Sequence, residues 1–137
     1  MERKFNRVLF FYGSLRKGEY NFERFEQQWP GALEEIGTGY IVGWNLIDLG
    51  SYPSIVPADV DASVVGEVYD VSDEVFAHVE ALEAEADYRR YTVDVHTTDS
   101  APCVQAYVYG FSRPAEISDR PRIESGDWKR RLKSSAE

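Results

Sequence analysis

Val8-Leu9-Phe10-Phe11-Tyr12 is an unbroken apolar and aromatic run, stopped by Gly13-Ser14 and followed by Leu15-Arg16. The pattern predicts a buried central strand that delivers a loop into a cleft. Arg16-Lys17-Gly18-Glu19 then reads as a polar turn, and Asn21 as the N-cap of a helix from Phe22 to Gln28, closed by Trp29-Pro30-Gly31. Residues 33–49 are rich in Ile, Val, Tyr and Trp and punctuated by Gly37, Gly39 and Gly43, which predicts a strand, a bend and a second strand. Gly50 to Ser54 reads as a turn, Ile55-Val56-Pro57 as a short edge piece, and Asp59 to Asp61 as a loop.

Val64 to Val71 alternates well enough to be a strand. Ser72 is placed to cap a helix over residues 73–83, whose first turn carries Asp73 and Glu74 as the helix dipole favours. Tyr91 to His96 alternates strictly and predicts a half-buried strand. A turn over Thr97 to Pro102 leads to a partner strand from Cys103 to Phe111, an antiparallel pair. After Ser112 the composition shifts to Pro and charge. Residues 113–137 read as a loosely attached arm, with Trp128 and Leu132 at i, i+4 docking a final helical turn. Strands dominate, glycines bend them, and two short helices interrupt. The expected fold is α+β, a small curved mixed sheet or barrel with helices at one side, formed by residues 1–112.

Composition narrows the function classes. A chain of 137 residues with 43% hydrophobic and 14% aromatic content is long enough to bury one core. Residues 1–112 hold 8 Lys/Arg against 19 Asp/Glu, while residues 113–137 hold 7 against 5. An acidic body argues against a nucleic-acid partner, and Lys129-Arg130-Arg131 reads as a solvated terminal face. Cys103 is the only cysteine, which excludes an internal disulfide and a cysteine-based zinc site, and its strand setting suggests a small core hydrophobe. His78 and His96 lack metal-ligand spacing, so no metal or cofactor is expected. The glycines from Gly37 to Gly43 miss the dinucleotide fingerprint, and no helix follows them. The basic start at Arg3-Lys4 resembles a signal n-region, but the apolar run after it breaks at Gly13-Ser14. No stretch is long enough to span a membrane, and a cytoplasmic protein is the expectation.

Two stretches carry candidate chemistry. Gly13 has no Cβ and tolerates φ > 0, so a backbone there can approach a ligand, and the amides of Gly13, Ser14 and Leu15 can cradle a carboxylate or oxyanion. Taken alone, an ordinary strand end accounts for the same pattern. The second stretch is the helix after Ser72. On a wheel of about 100° per residue, Val75, Phe76, Val79 and Leu82 define an apolar arc, and Glu83 falls inside it. A core-facing carboxyl is expensive to ionise, and the C-terminal end of the helix dipole adds to that cost. Its pKa should therefore rise toward neutrality, as acid–base chemistry requires. The competing reading is that the helix frays before Glu83 and the side chain turns to solvent.

Tyr12-Gly13-Ser14-Leu15, Tyr52-Pro53, Gly66-Glu67-Val68-Tyr69, Val79-Glu80-Ala81-Leu82-Glu83 and Tyr88-Arg89-Arg90 follow one another in this order. Over residues 7–112 the set resembles the γ-glutamylcyclotransferase-like (AIG2-like) family. The resemblance implies a small mixed barrel whose cavity binds a γ-glutamyl group. It makes the Tyr12–Leu15 loop a substrate holder, Glu83 the acid/base, and Tyr52 and Tyr88 part of the binding site. The implied activity is of acyltransferase type: the substrate α-amino group attacks the γ-carbonyl and releases 5-oxoproline and a free amine. Two departures stand out, Val79-Glu80 where the family has Leu-Asp and Ala84 where it has Gly. Gly126-Asp127-Trp128 is similar to related bacterial members and receives no role. Two other readings remain open at this point: a binding or regulatory module that keeps the pocket without turnover, and a hydrolase pairing Glu83 with Glu67 or Glu80.

Overall fold

A computed structural model of the chain describes residues 7–13, 15–58, 61–97 and 100–130, with residues 100–102 described as backbone only. The elements in chain order are β1 (Arg7–Phe11), α1 (Tyr20–Gln28), β2 (Leu33–Val42), β3 (Trp44–Asp48), β4 (Pro53–Pro57), β5 (Ser63–Val71), α2 (Asp73–Glu85), β6 (Tyr88–Thr97) and β7 (Ser100–Phe111). Two 3₁₀ turns follow, Pro114–Glu116 and Trp128–Arg130.

Five strands close into a barrel in the order β1-β5-β2-β6-β7, and β3 and β4 form a separate hairpin. All ladders in the barrel are antiparallel except the closure, where β1 meets β7 in parallel at Leu9 and Tyr107. The alternation of side chains explains why β1 is apolar from Val8 to Phe11. Phe10 and Tyr12 enter a cluster shared with Ile41, Val68, Val95 and Val108 of the other barrel strands. Leu9 and Phe11 enter a second cluster with Tyr69, Phe22 and Phe25 of α1, and Val75 and Val79 of α2. A strand buried on both faces has no polar positions to alternate with.

Several boundaries differ from the sequence expectation, each for a local reason. Helix α1 begins at Tyr20 with Glu19 as its N-cap, and no side chain caps it, so Asn21 lies inside the helix instead of capping it. Ser72 does cap α2, accepting from Val75 N–H at 3.3 Å. Strand β2 carries a register shift between Glu35 and Gly37, and Gly43, at φ +87°, makes the break before β3. Strand β6 begins three residues earlier than its alternation suggested. Cys103 is exposed rather than core, because Val104, Ala106 and Val108 take the inward face of β7; its Sγ lies 3.2 Å from His96 Nδ1.

The segment after Ser112 is not loose. Ile117, Ile123 and Trp128 are all buried, and Trp128, at 1% exposure, is part of the cluster that fills the barrel. Val65 N–H donates to Gly126 O at 2.8 Å and Ile123 N–H to Leu46 O at 2.8 Å, so the segment is fastened by backbone bonds as well as by its apolar anchors. Leu132, expected to dock beside Trp128, lies outside the described residues.

Candidate functional site

The end of β1, the start of β4 and the C-terminal end of α2 meet at a pocket of about 350 Å³. Phe10, Phe11, Tyr12, Gly13 and Leu15 reach it from β1 and its loop, and Leu82, Glu83 and Ala86 from α2. Tyr52, Pro53, Tyr88, Tyr109 and Asn21 complete the lining. Every substrate-holding residue anticipated from the sequence lies here except Ser14, which falls outside the described residues.

Glu83 owes its place to the helix running its full length. Helix α2 continues to Glu85, so the fraying alternative does not occur, and Val75 and Val79 bury the face on which Glu83 also projects. The side chain is half-buried and borders the pocket. Burial is the main cause that raises its pKa from 4.5 to about 7, and the charge of Glu80 pushes the same way.

The exit from α2 brings Tyr88 in. Asp87 adopts φ +66°, a left-handed conformation that Asp tolerates better than most residues. Ser112 donates to Asp87 through both its backbone N–H and its hydroxyl, at 2.9 Å each, which fixes that turn and starts β6 at Tyr88. Tyr88 then donates its hydroxyl to Pro53 O at 2.6 Å. Burial pushes its phenol upward, with the charge of Glu83 second, so it acts at this site as a neutral donor.

Two more tyrosines line the same space. Tyr12 donates to Tyr109 O at 2.5 Å, and burial drives its phenol well above the usual range, helped by Tyr88 and Glu83. Tyr109 donates its own hydroxyl to Glu80 Oε2 at 2.5 Å, and Arg90 donates to the same oxygen at 3.0 Å. Tyr52 is half exposed, 6.4 Å from Tyr88 between ring centroids.

Gly13 is required here for space rather than for an unusual φ. A Cβ added to it would lie 2.8 Å from Pro53 Cγ, so only glycine lets the loop pass this close to the start of β4. Arg16 N–H donates to Gly13 O at 3.0 Å, closing a tight turn between the two residues.

Sequence reasoning missed Asn21 and Tyr109. Asn21 followed a polar turn and looked like a cap. Tyr109 lies in the last part of β7, where Val108, Tyr109 and Gly110 are buried in succession and alternation carries no information. Of the two carboxylates considered as partners of Glu83, neither lines the pocket. Glu67 is held by Arg16 and Lys17, and Glu80 by Tyr109 and Arg90. Among the described residues no group of three or more His, Cys, Asp or Glu is arranged to hold a metal ion, and no helix is long and apolar enough to cross a membrane.

A barrel with a buried carboxyl and a glycine loop on one pocket defines a class, and comparison with known proteins gives it a family. The chain belongs to the family described as "Gamma-glutamyl cyclotransferase, AIG2-like", which matches residues 9–130. It is 32% identical over 121 residues to the gamma-glutamylcyclotransferase family protein YtfP of Escherichia coli K12, covering 88% of this chain and 94% of that protein. It is 31% identical over 122 residues to the putative gamma-glutamylcyclotransferase MJ1514 of Methanocaldococcus jannaschii, with the same coverage. Among solved structures, an AIG2-like protein from Mus musculus shares the fold at a TM-score of 0.74, with 23% identity and 86% of each chain covered.

Proposed function

We propose that the protein is a γ-glutamyl cyclotransferase that releases 5-oxoproline and a free amine from a γ-glutamyl amine or amide. One observation carries the reading: Glu83, with its pKa raised to about 7, lines the same pocket as Gly13 and Leu15. Ionised Glu83 takes a proton from the substrate α-amino group, and that nitrogen attacks the γ-carbonyl carbon. The amides of Gly13 and Leu15 stabilise the oxyanion. As the carbonyl reforms, the bond to the leaving nitrogen breaks, and Glu83 returns its proton to that nitrogen. The proton taken from one nitrogen is thus delivered to the other, and Glu83 ends ionised as it began.

Ring closure within one molecule needs orientation more than force. The pocket supplies it with aromatic walls from Phe10, Tyr12, Tyr52, Tyr88 and Tyr109. Among the described lining residues there is no lysine or arginine, so a neutral donor such as Asn21 holds the substrate α-carboxylate while the loop amides face the γ-carbonyl.

The test is a 5-oxoproline assay over a panel of γ-glutamyl amines and amides with the wild type and Glu83→Gln. The expected result is release from at least one compound, falling by about 10² to 10⁴ in the variant. Full activity in a folded Glu83→Gln protein would overturn the role of Glu83. Binding without release across the panel would instead identify a module that holds γ-glutamyl compounds without turning them over.

A further inference from the structure

Arg16 is 6% exposed, a rare state for an arginine, and it stands at the outer end of the loop that begins at Gly13. Its charge is met from two distant parts of the chain. Nε donates to Glu67 Oε2 of β5 at 3.1 Å, and Nη1 donates to Asp127 Oδ1 of the C-terminal segment at 2.7 Å. Glu67, 7% exposed, also accepts from Lys17 N–H at 2.8 Å and from the Tyr69 hydroxyl at 3.2 Å. Lys129 donates its ammonium to Lys17 O and lies 3.9 Å from Glu67 Oε2. Two cations and two carboxylates therefore form one cluster, and its bonds to the loop fall on Arg16 and Lys17.

The far end of this cluster is rigid. Asp127 also accepts from Lys129 N–H at 3.0 Å, and the next residue, Trp128, is sealed in the core. The near end is the turn itself, since the backbone N–H of Arg16 bonds Gly13 O. Buried ion pairs add little net stability, because desolvation offsets most of their attraction. What they contribute is a fixed geometry, and an arginine fork does so with directional bonds.

We propose that Arg16 is a positioning residue, clipped by Glu67 and Asp127 so that Gly13 and Leu15, which line the pocket, are held where their amides can meet the substrate. The inference rests on the cyclotransferase reading for its effect on turnover, while the clip itself is a property of the free protein. It also gives the C-terminal segment a part in the site, although none of its described residues lines the pocket.

The test compares the wild type with Asp127→Asn and Arg16→Lys. The two readouts are hydrogen exchange of the residue 16 and 17 amides without ligand, and kcat and KM for 5-oxoproline release from γ-glutamyl-n-butylamide. In Asp127→Asn both amides are expected to exchange about tenfold faster, and kcat to fall about 10- to 100-fold, as a misaligned site produces. The midpoint of the kcat/KM pH profile stays that of the wild type, because Glu83 is untouched. Arg16→Lys, which keeps the charge and loses the fork, is expected to show the same pattern. Should either variant fold poorly, Lys129→Ala removes the bond to Lys17 O and the 3.9 Å approach to Glu67 but leaves Arg16 paired, and is expected to speed exchange at Lys17 and not at Arg16. Wild-type exchange and wild-type kcat in folded variants would overturn the clip. Absence of release by the wild type across the whole panel of γ-glutamyl amines and amides would defeat the cyclotransferase reading instead, and the exchange readout would still decide whether the loop is clipped.

Discussion

Glu83 combines a cost with a proposed use. In the unfolded chain its carboxyl ionises near the ordinary value of 4.5, whereas in the folded protein it holds its proton to about pH 7. Between those values the native state binds more protons than the unfolded state, so stability falls as pH rises through this window and stays reduced above it. Glu83→Gln removes the penalty. The variant is expected to be more stable than the wild type by about 2 kcal/mol at pH 8 and nearly equal to it at pH 4, as urea unfolding at the two pH values would read. This residue was legible in the sequence because a glutamate inside an apolar arc contradicts its surroundings. Arg16 was not, since a polar side chain after Gly13-Ser14-Leu15 looks like any turn residue until its partners, 51 and 111 residues away in the chain, are seen.

At the scale of elements, order and type were readable, and the ends were not. Helix α2 announced itself through Ser72 and the acidic first turn, and its cap bond is present. Ser72→Ala is expected to cost about 1 kcal/mol in denaturant melts, with the helix otherwise intact. Helix α1 was harder because Tyr20, at 74% exposure, opens it without an apolar signal. Strand β6 begins with Tyr88-Arg89-Arg90, where alternation is hidden. Its start is set by the Asp87 turn and by pairing of Tyr88 with Phe111. Local pattern cannot report a boundary that a partner strand imposes.

At the scale of the whole molecule, the barrel with its two helices was foreseeable from the number of strands and the glycines that bend them. The attachment of the last segment was not. Ile117, Ile123 and Trp128 follow no helical or strand period, because the chain between them is irregular, and the surrounding Pro and charge mask them. Trp128→Ala is expected to destabilise the protein by about 3 to 5 kcal/mol, measured by thermal or urea unfolding. Burial of Ile123 and Trp128 makes the C-terminal segment part of the barrel core and sets Asp127 against Arg16, while Ile117 packs with Ile47 and Val56 of the hairpin. The pocket is likewise a property of the assembled molecule, since β1, α2, β4, β6 and β7 each contribute to it.

The measurement that bears most directly on the role of Glu83 is the pH dependence of kcat/KM for 5-oxoproline release, in the wild type and in Glu83→Gln. In the proposed reaction ionised Glu83 accepts the proton of the attacking nitrogen, so wild-type kcat/KM is expected to rise with pH through a midpoint of about 7. The same limb is expected to be absent in Glu83→Gln, whose residual rate lies at least about 100-fold lower. A Glu83→Gln protein that keeps both the wild-type rate and the limb near 7 would contradict it.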